Sequence, residues 1–102
     1  MTEPKRSVIH VPKDLDDIFP EFLENRRVEI AAMPGVLERR DFKQLRTWGH
    51  NMAGCGEGYG FPSIGELGRC LENAALAQDV AAIQICTAKM AELVTDIVVV
   101  YD

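Results

Sequence analysis

Apolar residues along this 102-residue chain recur at steps of three and four rather than alternating, and four such stretches can be traced. Phe22, Leu23, Ile30 and Met33 mark the first, which the spacing predicts as a helix over about Pro20–Met33. Pro20 suits a first helical turn, where its missing N–H is no loss. Pro34-Gly35 is expected to break or kink this helix, with Val36-Leu37 adding a further turn. Asp41 is the expected N-cap of a second helix whose inward stripe is Phe42, Leu45, Gly49, Met52, Gly56 and Tyr59. Ser63-Ile64-Gly65-Glu66 has the capping-box pattern and is expected to start a third, with Ile64, Leu67, Leu71 and Ala74 or Ala75 inward. Asp79 caps a fourth, whose stripe is Ile83, Cys86, Met90, Leu93, Ile97 and Val100. The Ile97–Val100 run has strand propensity, but it prolongs an unbroken helical pattern and is read as a fraying helix end.

Residues 1–13 read as an extended lead-in, with Val8, Ile9 and Val11 around His10 and with Pro12 opposing an early helix. Asp14 is expected to cap a short turn through Ile18, with Asp17 in a capping-box-like place. The sum is an all-α fold over residues 14–102: an antiparallel up-down-up-down four-helix bundle preceded by a short helical turn.

Composition adds bounds. Hydrophobic residues at 47% and charged residues at 26% suit one globular domain with a core. A net charge of -5 disfavours nucleic acid and anionic membranes as partners, since both attract basic surfaces. No apolar run approaches the ~20 residues of a membrane span. The polar opening residues lead into no signal-peptide core, so a cytoplasmic setting is expected. Cys55, Cys70 and Cys86 match neither CxxC nor a paired zinc pattern, so no metal is expected. Cys70 and Cys86 fall among apolar residues and read as small core side chains.

The chemistry centres on His50. With Gly49 and Met52 inward, His50 falls on the outward face of the second helix, beside Lys43, Arg46, Thr47, Gly54 and Glu57. A lone exposed histidine usually carries no function. The glycines alter that picture. A helical glycine is unfavourable by ~1 kcal/mol relative to alanine, and Gly49, Gly54, Gly56 and Gly58 crowd into a few turns. Gly49 and Gly56 point inward, where they permit close helix approach, but Gly54 does not. One turn after His50, a bare backbone at Gly54 leaves room for a partner to reach the imidazole. The stretch Gly54–Gly60 fits neither GxGxxG in register nor a GK[ST] ending, which argues against a nucleotide-phosphate loop.

The segment His50-Asn51-Met52-Ala53-Gly54-Cys55-Gly56, with Gly60 ten positions after the histidine, resembles the motif of the histidine phosphotransfer (HPt) family. Gly60-Phe61-Pro62-Ser63, Leu67-Gly68-Arg69-Cys70-Leu71-Glu72 and the earlier Phe22-Leu23-Glu24-Asn25-Arg26-Arg27 resemble a bacterial subgroup with a GYGF stretch after its histidine. The resemblance spans about Asp14–Leu93. It implies a phosphocarrier in which His50 takes a phosphoryl group from a receiver-domain aspartate and passes it on. Partners would be response-regulator receivers, with a hybrid histidine kinase as a further partner. It also implies that Glu72 holds the other ring nitrogen. No cofactor is implied for this chain; Mg²⁺ would sit in the receiver's acidic pocket. The lysine usual three residues after the family's histidine is Ala53 here. Arg46 is the first candidate to replace it at the phosphoryl oxygens, ahead of Lys43 and Arg69, and His10 matches no motif. Two other readings remain: a degenerate HPt-like module that binds receivers without transfer, and an unrelated helical adaptor.

Overall fold

A computed structural model describes residues 7–58 and 61–102. Its elements run β1 (Ser7–Val11), a 3₁₀ turn (Lys13–Leu15), α1 (Phe19–Glu38), α2 (Phe42–Gly58), α3 (Pro62–Leu76), α4 (Val80–Thr95) and β2 (Ile97–Tyr101). The expected inward place of Tyr59 and the motif glycine Gly60 lie outside the described residues, as does the side chain of Glu57.

The helices bury most of the predicted stripes, with Phe42, Leu67 and Leu93 only partly buried. Leu45, Met52, Ile64, Leu71, Ile83 and Met90 are fully buried, joined by Phe19 and Phe61. Val94 is buried as well and was not part of the expected stripe. No described helix is long and apolar enough to cross a membrane.

Two joins repeat one device. Arg40 and Gln78 adopt left-handed backbone, with φ of 58° and 55°. After α1, Asp41 N–H donates to Val36 C=O and Arg40 N–H to Leu37 C=O. After α3, Asp79 donates to Ala74 and Gln78 to Ala75 in the same way. Each is a Schellman stop that satisfies the last carbonyls. The aspartate that completes it then caps the next helix: the Asp41 carboxylate accepts from Gln44 N–H and the Asp79 carboxylate from Ala82 N–H, both at 3.1 Å. Stop and start thus share one residue, which is why the joins are so short.

Several expectations are corrected. The fold is not all-α, because Ile97–Tyr101 is a strand and not a helix end. It pairs in parallel with β1, Val8 opposite Val98 and Val11 opposite Tyr101, so all four helices form the crossover between the strands. The pairing wins because it buries Ile9 and Val11 and sets Tyr101 edge-on to Phe19, with ring centroids 6.4 Å apart. Val100 consequently faces out. Pro34 does not end α1, which runs to Glu38, because Met33, Val36 and Leu37 all bury against the core. Asp14 caps nothing: Pro12 stands at the start of the 3₁₀ turn, which has no side-chain cap. The Ser63–Glu66 box is not used either. Pro62 is the first residue of α3 and the buried Phe61 its N-cap, two residues before Ser63. Cys70 is exposed, and only Cys86 is a core thiol.

Candidate functional site

α2 continues unbroken through Gly54 to Gly58, so these glycines are helical rather than a loop. That continuity holds His50 on a rigid, outward face one turn before Gly54. A Cβ at Gly54 would meet nothing within 4 Å. Its bareness therefore serves no packing contact among the described residues.

α3 lies directly against the inward side of α2 and carries Glu72 to His50. The Glu72 Oε2 is 2.9 Å from His50 Nδ1. An ionised carboxylate only accepts, so Nδ1 carries the proton and donates it. In the neutral ring, Nε2 is then the lone-pair nitrogen. The two side chains are unequally exposed, 73% for His50 and 26% for Glu72. The carboxylate is thus held by the fold while the imidazole projects from it.

Lys43, Arg46 and Thr47 line a cleft of about 350 Å³ together with His50 and Glu72. Lys43 and Arg46 bring two positive charges to one side of the imidazole in a chain whose net charge is -5. Neither is engaged in an ion pair among the described residues. The Thr47 hydroxyl is turned back to the Lys43 carbonyl at 3.0 Å. Arg69 is exposed on α3 and is not among the residues of this cleft. Ala53 is half-buried, with its backbone nitrogen facing α3, so it is less outward than its spacing from His50 suggests.

Clefts of similar volume exist between α1 and α4, for example around Pro34, Leu37 and Gln84 or around Ile30, Ala91 and Val94. The first also carries Glu38 and Thr87, but the Thr87 hydroxyl is turned to the Gln84 carbonyl at 3.1 Å. Among the described residues no three His, Cys, Asp or Glu side chains come together as a metal would require. Away from the cleft, burial pushes the Cys86 thiol up, and burial raises the Glu29 carboxyl against the opposing pull of Arg26.

One pair escaped the sequence reading. His10 Nδ1 lies 2.9 Å from Asp102 Oδ2, with both side chains largely exposed. Asp102 N–H also donates to Val11 C=O at 3.1 Å. Strand pairing alone brings these residues together, and no helical spacing points to it. The pair sits at the end of the strand ladder. Comparison with protein-family models, curated proteins and solved structures finds no match for this chain.

Proposed function

We propose that the chain is a histidine phosphotransfer module: an antiparallel up-down-up-down four-helix bundle that accepts a phosphoryl group on His50 from a receiver-domain aspartate and passes it on. The order of helix contacts supports the up-down arrangement. Gly49 abuts Gly68 and Glu72, whereas Gly56, two turns further along α2, abuts Gly65 and Phe61 earlier in α3. Likewise Arg27 reaches Val94, whereas Leu37 and Glu38 neighbour Gln84 and Thr87.

The observation that carries the function is the 2.9 Å His50 Nδ1–Glu72 contact on an imidazole whose far nitrogen is open. In the transfer step the Nε2 lone pair forms the N–P bond as the P–O bond to the aspartate breaks. The bonding pair leaves with the aspartate carboxylate, and Nδ1 keeps its proton. The ring therefore gains positive charge, and Glu72 is already placed against it. Arg46, with Lys43 beside it, faces the phosphoryl oxygens from the same cleft. Gly54 leaves the partner's acidic pocket room to close over His50, and any Mg²⁺ belongs to that pocket. The chain positions a nucleophile and is a phosphocarrier rather than an enzyme.

Ala53 favours a second reading, a module that binds receivers without transfer, because the lysine usual at that place is missing. Incubation with a receiver phosphorylated on its aspartate separates the two. The phosphocarrier reading expects acid-labile label on the wild type, none on His50→Gln, and none from ATP alone. Binding without label supports the second reading. Neither binding nor label points to an unrelated adaptor and overturns the proposal.

A further inference from the structure

Gly49 immediately precedes His50, and Gly68 stands one helical turn before Glu72. A Cβ at Gly49 would lie 2.6 Å from Glu72 N, 2.7 Å from Gly68 O and 3.1 Å from Glu72 Cα. A Cβ at Gly68 would lie 2.7 Å from Ala53 N, 2.7 Å from Met52 Cβ and 2.8 Å from Gly49 O. Nearly all of these are backbone atoms, which cannot rotate aside. Ordinary carbon contacts are ~3.5 Å or longer. A methyl at either position therefore requires α2 and α3 to separate by roughly 0.7–0.9 Å. The absence of a side chain at both positions is what lets the two backbones lie this close.

We infer that Gly49 and Gly68 are positioning residues for the His50–Glu72 pair, their backbone contact setting the one helix spacing at which the Glu72 carboxylate reaches Nδ1. The 2.9 Å bond tolerates little. Beyond about 3.5 Å it ceases to be a hydrogen bond, so a separation of that size, carried through to the two side chains, is enough to break it. With the bond goes the fixed tautomer, and Nε2 is no longer held as the free nucleophile. The consequence for transfer rests on the phosphocarrier reading above; the geometry does not.

A purely structural role for the glycines is distinguishable because the seam has a second crossing. A Cβ at Gly56 would lie 2.5 Å from Gly65 N and 2.9 Å from Phe61 O, an equally hard clash. It stands six residues past His50, well along α2.

The experiment is ¹⁵N NMR of the imidazoles in the full chain, with phosphoryl acceptance measured alongside. Neutral His50 is expected in the Nδ1–H form in the wild type. Gly68→Ala is expected to shift it toward Nε2–H and to slow acceptance about tenfold, a loss of ~1.4 kcal/mol. Gly56→Ala is expected to lower thermal stability while keeping the Nδ1–H form. Should Gly68→Ala fail to fold, Glu72→Asp decides the point with the seam intact. Aspartate is one methylene shorter on the same backbone, so its carboxylate should fall short of Nδ1 and the Nδ1–H form should be lost there too. Retention of the Nδ1–H form in Gly68→Ala or in Glu72→Asp overturns the inference, as does equal loss in Gly56→Ala. A wild type that holds the Nδ1–H form yet takes no phosphoryl group fails the phosphocarrier reading and leaves the positioning role standing.

Discussion

Removing the Glu72 carboxylate tests how much the fold contributes to the nucleophile. In the wild type a full negative charge lies 2.9 Å from Nδ1. Positive charge develops over the whole ring, so the effective separation is nearer ~4 Å, and at that distance the attraction is ~1 kcal/mol in water and ~4 kcal/mol at an effective dielectric of 20. His50 is 73% exposed, which places the pair toward the watery end. A working figure is ~1–2 kcal/mol, or roughly a 5–30-fold slower transfer in Glu72→Ala. Glu72→Gln should fall between, since its amide oxygen still accepts from Nδ1–H but brings no charge. The assay is single-turnover transfer from a phosphorylated receiver, with receiver concentration varied to separate docking from the chemical step. The loss should fall on the chemical step. Wild-type speed in Glu72→Ala would refute the orienting role of this residue.

Other consequences follow from the same geometry. Gly54→Gln should fold at least as well as the wild type, given its open surroundings and better helix propensity, yet accept phosphate far more slowly; an unchanged rate would remove the clearance argument. Arg46→Ala should slow transfer several-fold, because a screened, exposed cation contributes ~1 kcal/mol or less. Ala53→Lys should restore several-fold, less if its half-buried setting turns the side chain away, and the double-mutant cycle should show coupling; additive effects would mean that Arg46 does not stand in for the family's lysine. Gln78→Gly should raise stability, since relief of a left-handed residue (φ 55°) is ~1–2 kcal/mol against a smaller gain in unfolded-state entropy; unfolding at a lower denaturant midpoint would contradict it.

The helices were legible because burial of one face imposes a helical period, and the Asp41 and Asp79 caps because a short side chain at a helix start has one local partner to satisfy. What depended on distant partners was not legible. Ile97–Tyr101 carries apolar residues at positions that suit either helix or strand, and only β1, from the other end of the sequence, decides between them. The same pairing made His10–Asp102 invisible. The Ser63–Glu66 pattern misled because Pro62 starts α3 earlier, so its capping side chain is no longer at the cap position. Cys70 misled because apolar neighbours in sequence are not neighbours on a helix. At the site, periodicity alone put His50 and Arg46 outward and Gly49 and Gly56 inward. Glu72 entered only through the family resemblance, since nothing within α3 distinguishes it from an ordinary surface glutamate. Gly68 stands in the stretch that carries the resemblance but is given no role there, because a glycine facing another helix shows its purpose only when that helix is in place.

The central claim is that His50 Nε2 is the phosphoryl acceptor. Its most direct test is ³¹P and ¹⁵N NMR of the chain after reaction with a receiver phosphorylated on its aspartate. A single phosphohistidine, bonded through Nε2 of His50 with Nδ1 still protonated and absent from His50→Gln, is the predicted result. Phosphate on Nδ1, on His10, or on neither histidine would contradict it.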